Sequence, residues 1–216
     1  MTIESLSRAG HAGRLYVFLD MNQSLRGTAK LPPVRLPARF ALTTNCRNTK
    51  AIARSGASLA HIDVRLLPGS PCGEAPAVRR APSSAAEAGL VLAELRQLLQ
   101  QGINPKQIAL IGPASYTKGS LGRHAEVEGV PFIDDAVDWR RGAGILVSTA
   151  RSFKGLEADV VIAYGLNSFG PLFTRTDLYV AWTRARHRLV LICQTGEVRA
   201  AVEAALADAE REAAAL

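Results

Sequence analysis

Short apolar runs recur along the chain, at residues 15–19, 40–44, 108–112, 145–148, 160–164 and 189–193. Runs this short, rich in Val, Ile and Leu and without strict polar alternation, are expected of strands covered on both faces. Helical patterns separate several of them. Val91, Leu92, Leu95, Leu98 and Leu99 repeat at helical spacing; Ser84 with Glu87 predicts a capping box at the start, and Gly102 a stop. Val198, Ala201, Val202, Ala205 and Leu206 mark one face of a final amphipathic helix, expected to dock on the sheet. Strands alternating with helices predict an α/β fold: a doubly wound, mostly parallel sheet flanked by helices.

Two stretches interrupt this pattern. Gly27, Pro32, Pro33 and Pro37 make residues 24–38 read as a linker, and Pro68, Gly69, Pro71, Gly73 and Pro76 make residues 68–82 read as an irregular surface excursion. With 216 residues the chain has room for one large α/β domain, or one domain with an attached fragment.

The formal charge is +7, carried by 21 Arg and 5 Lys against 19 acids. Residues 197–216 hold five acids and two bases, so the remainder carries +10 and the basic surface lies outside the C-terminal tail. Guanidinium groups match phosphate oxygens in bidentate fashion, which is compatible with nucleotide or nucleic-acid contact. Arg and Ala abundance is equally expected of a GC-rich genome. Cys46, Cys72 and Cys193 are far apart and form no C-x-x-C pair, so neither a zinc site nor a disulfide framework is indicated. No apolar stretch approaches 18 residues, and the start lacks the layout of a signal peptide. A cytoplasmic location without a membrane partner is the expectation.

Two polar, partly cationic turns stand beside apolar runs: residues 148–157, reading STARSFKGLE, and 178–188, reading LYVAWTRARHR. They resemble the last two motifs of UvrD/Rep-type superfamily 1 helicases, roughly T-x-H-x-x-K-G-L-E and Y-V-A-x-T-R-A. Residues 15–24, LYVFLDMNQS, resemble that family's strand followed by G-D-x-x-Q, with Leu19 where glycine is usual. Residues 42–49, LTTNCRNT, resemble L-x-x-N-Y-R-S/N-T, with Cys46 in place of the aromatic. Four motifs in family order span residues 15 to 192.

The resemblance implies a RecA-like fold and a division of labour among these residues. Phosphoryl transfer in such motors is stabilised mainly by electrostatics, and the arginines acting across the cleft would be Arg47 and Arg184. Gln23 would sense the γ-phosphate. Glu157 would accept a hydrogen bond from the nucleotide ribose, with Gly155 allowing close backbone approach. Thr149, Arg151 and Lys154 would meet phosphates of a bound single strand, Arg151 standing where the family usually has histidine. Arg186 and Arg188 read equally well as a solvated face, and Trp182 and His187 as structural residues.

The chain contains no G-x-x-x-x-G-K-[ST] loop and no D-E pair after a strand. In the family those belong to the first RecA-like domain. The expectation is therefore residues 1–35 as the tail of that first domain plus linker, and 36–216 as the second RecA-like domain. The partners implied are single-stranded DNA and an N-terminal RecA-like domain in the same or a companion chain. ATP and Mg2+ are implied for the complete helicase, with neither expected to bind tightly to this chain alone. The spacing of about 100 residues between Arg47 and Thr149 leaves little room for the accessory insertion of many relatives, and 68–82 reads as its trimmed form. The rival reading is a non-enzymatic docking module for nucleic acid or protein. An unrelated cofactor-binding α/β enzyme would need a glycine-rich turn after the first strand, which residues 20–27 do not supply.

Overall fold

A computed structural model describes residues 44–194 and 196–215. The expected strand at 15–19, the linker at 24–38 and Gln23 lie outside the described residues. β1 (Thr44–Asn45) leads into α1 (Lys50–Ala60) and pairs in parallel with β2 (Arg65–Leu66). There follow β3 (Ala77–Arg80), α2 (Ser84–Gln100), β4 (Ile108–Gly112), β5 (Glu126–Val127), β6 (Val130–Ile133) and α3 (Ala136–Arg141). β7 (Ile145–Thr149), β8 (Ala158–Leu166), α4 (Arg175–Thr183), β9 (Ala185–Cys193) and α5 (Glu197–Ala214) complete the order.

The main sheet runs β3-β9-β8-β4-β7-β6-β5, parallel throughout except for the β5/β6 hairpin. β4 shows why its run had to be apolar without alternation. Ala109 and Ile111 point into a layer with Ile52 of α1, Leu178 of α4 and Val202 of α5, while Ile108 and Leu110 point into the layer of Val91 and Leu95 of α2. Both faces of the strand are dry, as expected of a doubly wound sheet. The α5 face chosen by periodicity docks as expected, with Val198, Val202 and Ala205 buried.

Three local features differ from the sequence reading. The N-cap of α2 is Ser83, whose side chain accepts from Ala86 N at 3.2 Å, one residue before the expected cap. That shift turns Glu87 inward, 1% exposed, where its carboxylate accepts from Gly165 N at 2.8 Å and Ser120 Oγ at 2.6 Å. Residues 77–80, inside the expected excursion, form the edge strand β3 along β9; prolines at 76 and 82 flank the strand, and prolines are tolerated at sheet edges. The rest of that excursion closes over the start of α1, with Lys50 N and Ala51 N donating to the carbonyls of Pro71 and Cys72, both at 2.9 Å. These contacts satisfy backbone donors that a helix N-terminus leaves open. Between β6 and β7 the chain carries only α3.

Candidate functional site

The starts of β8 and β9 form one edge of the sheet, where Ala158 and Ala185 are register partners. Asn45 begins the segment that reaches this edge: its side-chain oxygen accepts from the N–H groups of Arg47 at 3.0 Å and Asn48 at 3.1 Å, an Asx turn before α1. Asn48 is then buried, 4% exposed, and its Nδ2 donates to the carbonyls of Thr183 at 3.1 Å and Ala185 at 2.5 Å. Thr49 N donates to Arg186 O at 3.0 Å. The segment is clipped to the backbone on both sides of Arg184.

Arg184 caps the C-terminus of α4 and is itself buried, 3% exposed, with Nη1 donating to Leu156 O at 3.3 Å. A guanidinium at a helix C-terminus is favourably placed against the macrodipole. Arg47 Nε meets Glu157 Oε2 at 2.9 Å, and both side chains are half-exposed. Arg186 lies 3.9 Å from Glu157 and 3.2 Å from Asp159, which also accepts from Gln107 at 2.7 Å. Arg188 donates to Gln101 at 3.3 Å and His187 is exposed, 3.7 Å from Asp159. Trp182 is fully buried and donates to Ser55 Oγ at 3.2 Å, a structural role as expected. The structure thus places Arg47, Arg184 and Glu157 at one edge, with Arg47 and Glu157 open to solvent and Arg184 tucked beneath.

The opposite edge is made by the ends of β4 and β7, where Gly112 and Thr149 are partners. The Thr149 hydroxyl accepts from Ser152 N at 3.2 Å and donates to Ser152 Oγ at 3.1 Å, closing the turn after β7. Arg151 grips Asp177 with two hydrogen bonds, Nε to Oδ1 at 3.1 Å and Nη2 to Oδ2 at 3.3 Å, and Nη2 also donates to Pro171 O at 3.1 Å. Asp177 is buried in a capping box with Thr174 at the start of α4. Burial pushes its carboxyl up, but hydrogen bonds from Arg151 and Thr174 outweigh that and hold it below its usual range; the same pair raises the Arg151 guanidinium. Arg151 remains 40% exposed within this pair. Lys154 is exposed on the same turn.

Gly112, Pro113, Thr149, Arg151, Leu172 and Asp177 line a hollow of about 100 Å³ at this edge. A larger hollow of about 790 Å³ lies beside α1, lined by Arg54, His61, Asp63, Asp208, Arg211 and Glu212. It contains none of the motif residues, and its mixed charges favour no one ligand sign. Of the candidate residues, the smaller hollow gathers Thr149 and Arg151, while Arg47, Glu157 and Arg184 lie at the other edge.

Residues 150–157 cross from one edge to the other without a helix, held by fully buried Phe153, whose ring packs 5.8 Å from that of Trp139. Gly155 has φ +89°, and a Cβ there would meet nothing within 4 Å; the backbone conformation, not a neighbour, requires glycine. Sequence reasoning assigned no role to Asn48, Asp177 or Leu172. A buried asparagine inside a motif and a carboxylate three residues after Thr174 were the available signals.

Residues 144–192 match the model of the UvrD-like helicase C-terminal domain. The fold resembles the crystal structure of the C-terminal domain of a possible DNA helicase from Lactobacillus plantarum WCFS1, with TM-score 0.53 and 24% identity, covering 74% of this chain and 95% of that one. No curated protein matches. The segment bearing both motif turns is thus a match to the UvrD-like helicase C-terminal domain, set in the fold of a helicase C-terminal domain.

Proposed function

We propose that this chain is the second motor domain of an ATP-dependent, UvrD-like DNA helicase. The observation that carries this reading is the Asn48 clip, which brings the segment of Arg47 onto the backbone flanking Arg184, beside Glu157. In the complete motor this edge faces nucleotide held by a first RecA-like domain, and the Thr149–Arg151–Lys154 edge contacts single-stranded DNA.

The donor set suits part of ATP. Arg47 offers a guanidinium to a phosphate at little cost, because a half-exposed pair with Glu157 is worth only about 0–1 kcal/mol, and Glu157 is then free to accept from a ribose hydroxyl. Arg184 sits one carbonyl away, at Leu156. ATP supplies the phosphoryl group transferred to water; these side chains stabilise charge on its oxygens and orient the ribose. In the complete motor, magnesium would be held with the phosphates by the companion domain. Without the phosphate-cradling half, the chain alone does not hydrolyse ATP, since charge stabilisation without placement of the reactants leaves the main barrier in place.

Strand-stimulated ATP hydrolysis tests the proposal, measured for the chain alone and mixed with a separately expressed first motor domain from the same genome. Activity is expected only in the mixture, and lost with Arg47→Ala and Arg184→Lys while the fold is intact by circular dichroism. Strand binding without activity in any mixture would favour a docking module instead.

A further inference from the structure

Leu172 is 76% exposed, more than Leu67 at 44% or Val137 at 55%, the other exposed large hydrophobics among the described residues. Its exposure is built in. Gly170 and Phe173 exchange backbone hydrogen bonds at 2.9 and 3.2 Å, and Phe173 is buried beneath the turn. Arg151 holds the Pro171 carbonyl, and Phe169 N donates to Glu197 at 2.7 Å while its ring lies 5.6 Å under the Arg175 guanidinium. A turn tied at Phe169, Pro171 and Phe173 keeps the Leu172 side chain in water, at the rim of the hollow it shares with Thr149 and Arg151.

That hollow is far below the roughly 300–1,000 Å³ of a pocket that encloses a small molecule. A ligand here lies across it. An extended polymer with anionic links and flat apolar faces fits both halves of the surface: phosphate against Thr149 and Arg151, an apolar face against Leu172. Every base has such a face, so the contact is indifferent to sequence.

We propose that the Gly170–Phe173 turn is a base-packing element, in which Leu172 lies against a base of the single strand whose phosphates meet Thr149 and Arg151. This rests on the reading of that edge as the strand site. The alternative occupant of the turn is a protein surface, that of the companion motor domain.

Fluorescence anisotropy with the full chain separates these, using a labelled oligothymidylate of about 15 nucleotides and an abasic strand of equal length. Leu172→Ala is expected to weaken oligothymidylate binding roughly three- to tenfold and to leave abasic binding unchanged. Thr149→Ala is expected to weaken both strands alike. If Thr149→Ala acts but Leu172→Ala changes neither strand, or both equally, base packing is overturned and the strand site stands. If wild type binds neither strand, or Thr149→Ala has no effect, the strand site itself is overturned, and base packing with it.

Discussion

The carboxamide of Asn48 donates to the carbonyl of Ala185 at 2.5 Å, across 137 positions of sequence. Its second acceptor, Thr183 O, lies on the other side of Arg184, so a single buried side chain fixes the backbone that carries this arginine. Replacing Asn48 with alanine leaves two carbonyls without their donor and should cost about 1–3 kcal/mol. Asn48→Asp should cost more, because a carboxylate would face those two carbonyls. Urea denaturation of the two variants checks the order, and in the reconstituted motor both should lower hydrolysis beyond what residual folding explains.

Arg47 and Glu157 should behave in the opposite way. Both are half-exposed, so a double-mutant cycle on stability should give a coupling within about 1 kcal/mol. Activity is another matter. If Arg47 neutralises a transferring phosphoryl group, Arg47→Ala should lower hydrolysis in the reconstituted motor by about 10³ or more with the melting temperature nearly unchanged. A small stability effect paired with a small activity effect would remove Arg47 from the nucleotide site.

The Arg151–Asp177 pair predicts an acid limb. The Asp177 carboxyl is held below its ordinary value of 3.8 in the folded state, so the unfolded chain binds the proton first as pH falls. The stabilisation is present in full well above pH 3.8 and is lost as pH falls through the lower folded value. Asp177→Asn should flatten that part of the stability profile. Arg151→Ala leaves a buried carboxylate without its cation and should cost about 1–3 kcal/mol at neutral pH, less than for a fully enclosed pair because Arg151 is 40% exposed. Thermal melts between pH 2 and 7 would show both.

The three cysteines should separate by reactivity. Cys46 and Cys72 are exposed, whereas Cys193 ends β9 in the core, where burial pushes its thiol up to about 12. A disulfide reagent at pH 8 should titrate two thiols rapidly and the third only at the rate of unfolding. Rapid reaction of all three would mean that the end of β9 opens easily.

How much of this was legible beforehand differs by residue. The apolar runs at 108–112 and 145–148 became β4 and β7 almost to the residue, because strands covered on both faces leave no room for polar positions. β9 began at Ala185, before its apolar run, since Arg186 and His187 stand beyond the covered part of the sheet and carry no hydrophobic signal. The short strands β2, β3 and β5 were hidden for a related reason: edge strands two to four residues long are specified by their neighbours rather than by their own composition.

The sequence by itself determined the fold class and the alternation of buried strands with helices, and its motifs put Arg47, Glu157 and Arg184 forward as candidates, since apolar period and motif spacing are properties of the chain. Tertiary structure decided which side chains meet. Glu87 left its expected cap to bind Gly165 and Ser120, Arg151 closed on Asp177 26 positions away, and Arg184 came to lie beneath the surface on Leu156. A buried charge or amide takes whatever partner the packed backbone brings within about 3 Å, and only the closed sheet brings those partners together.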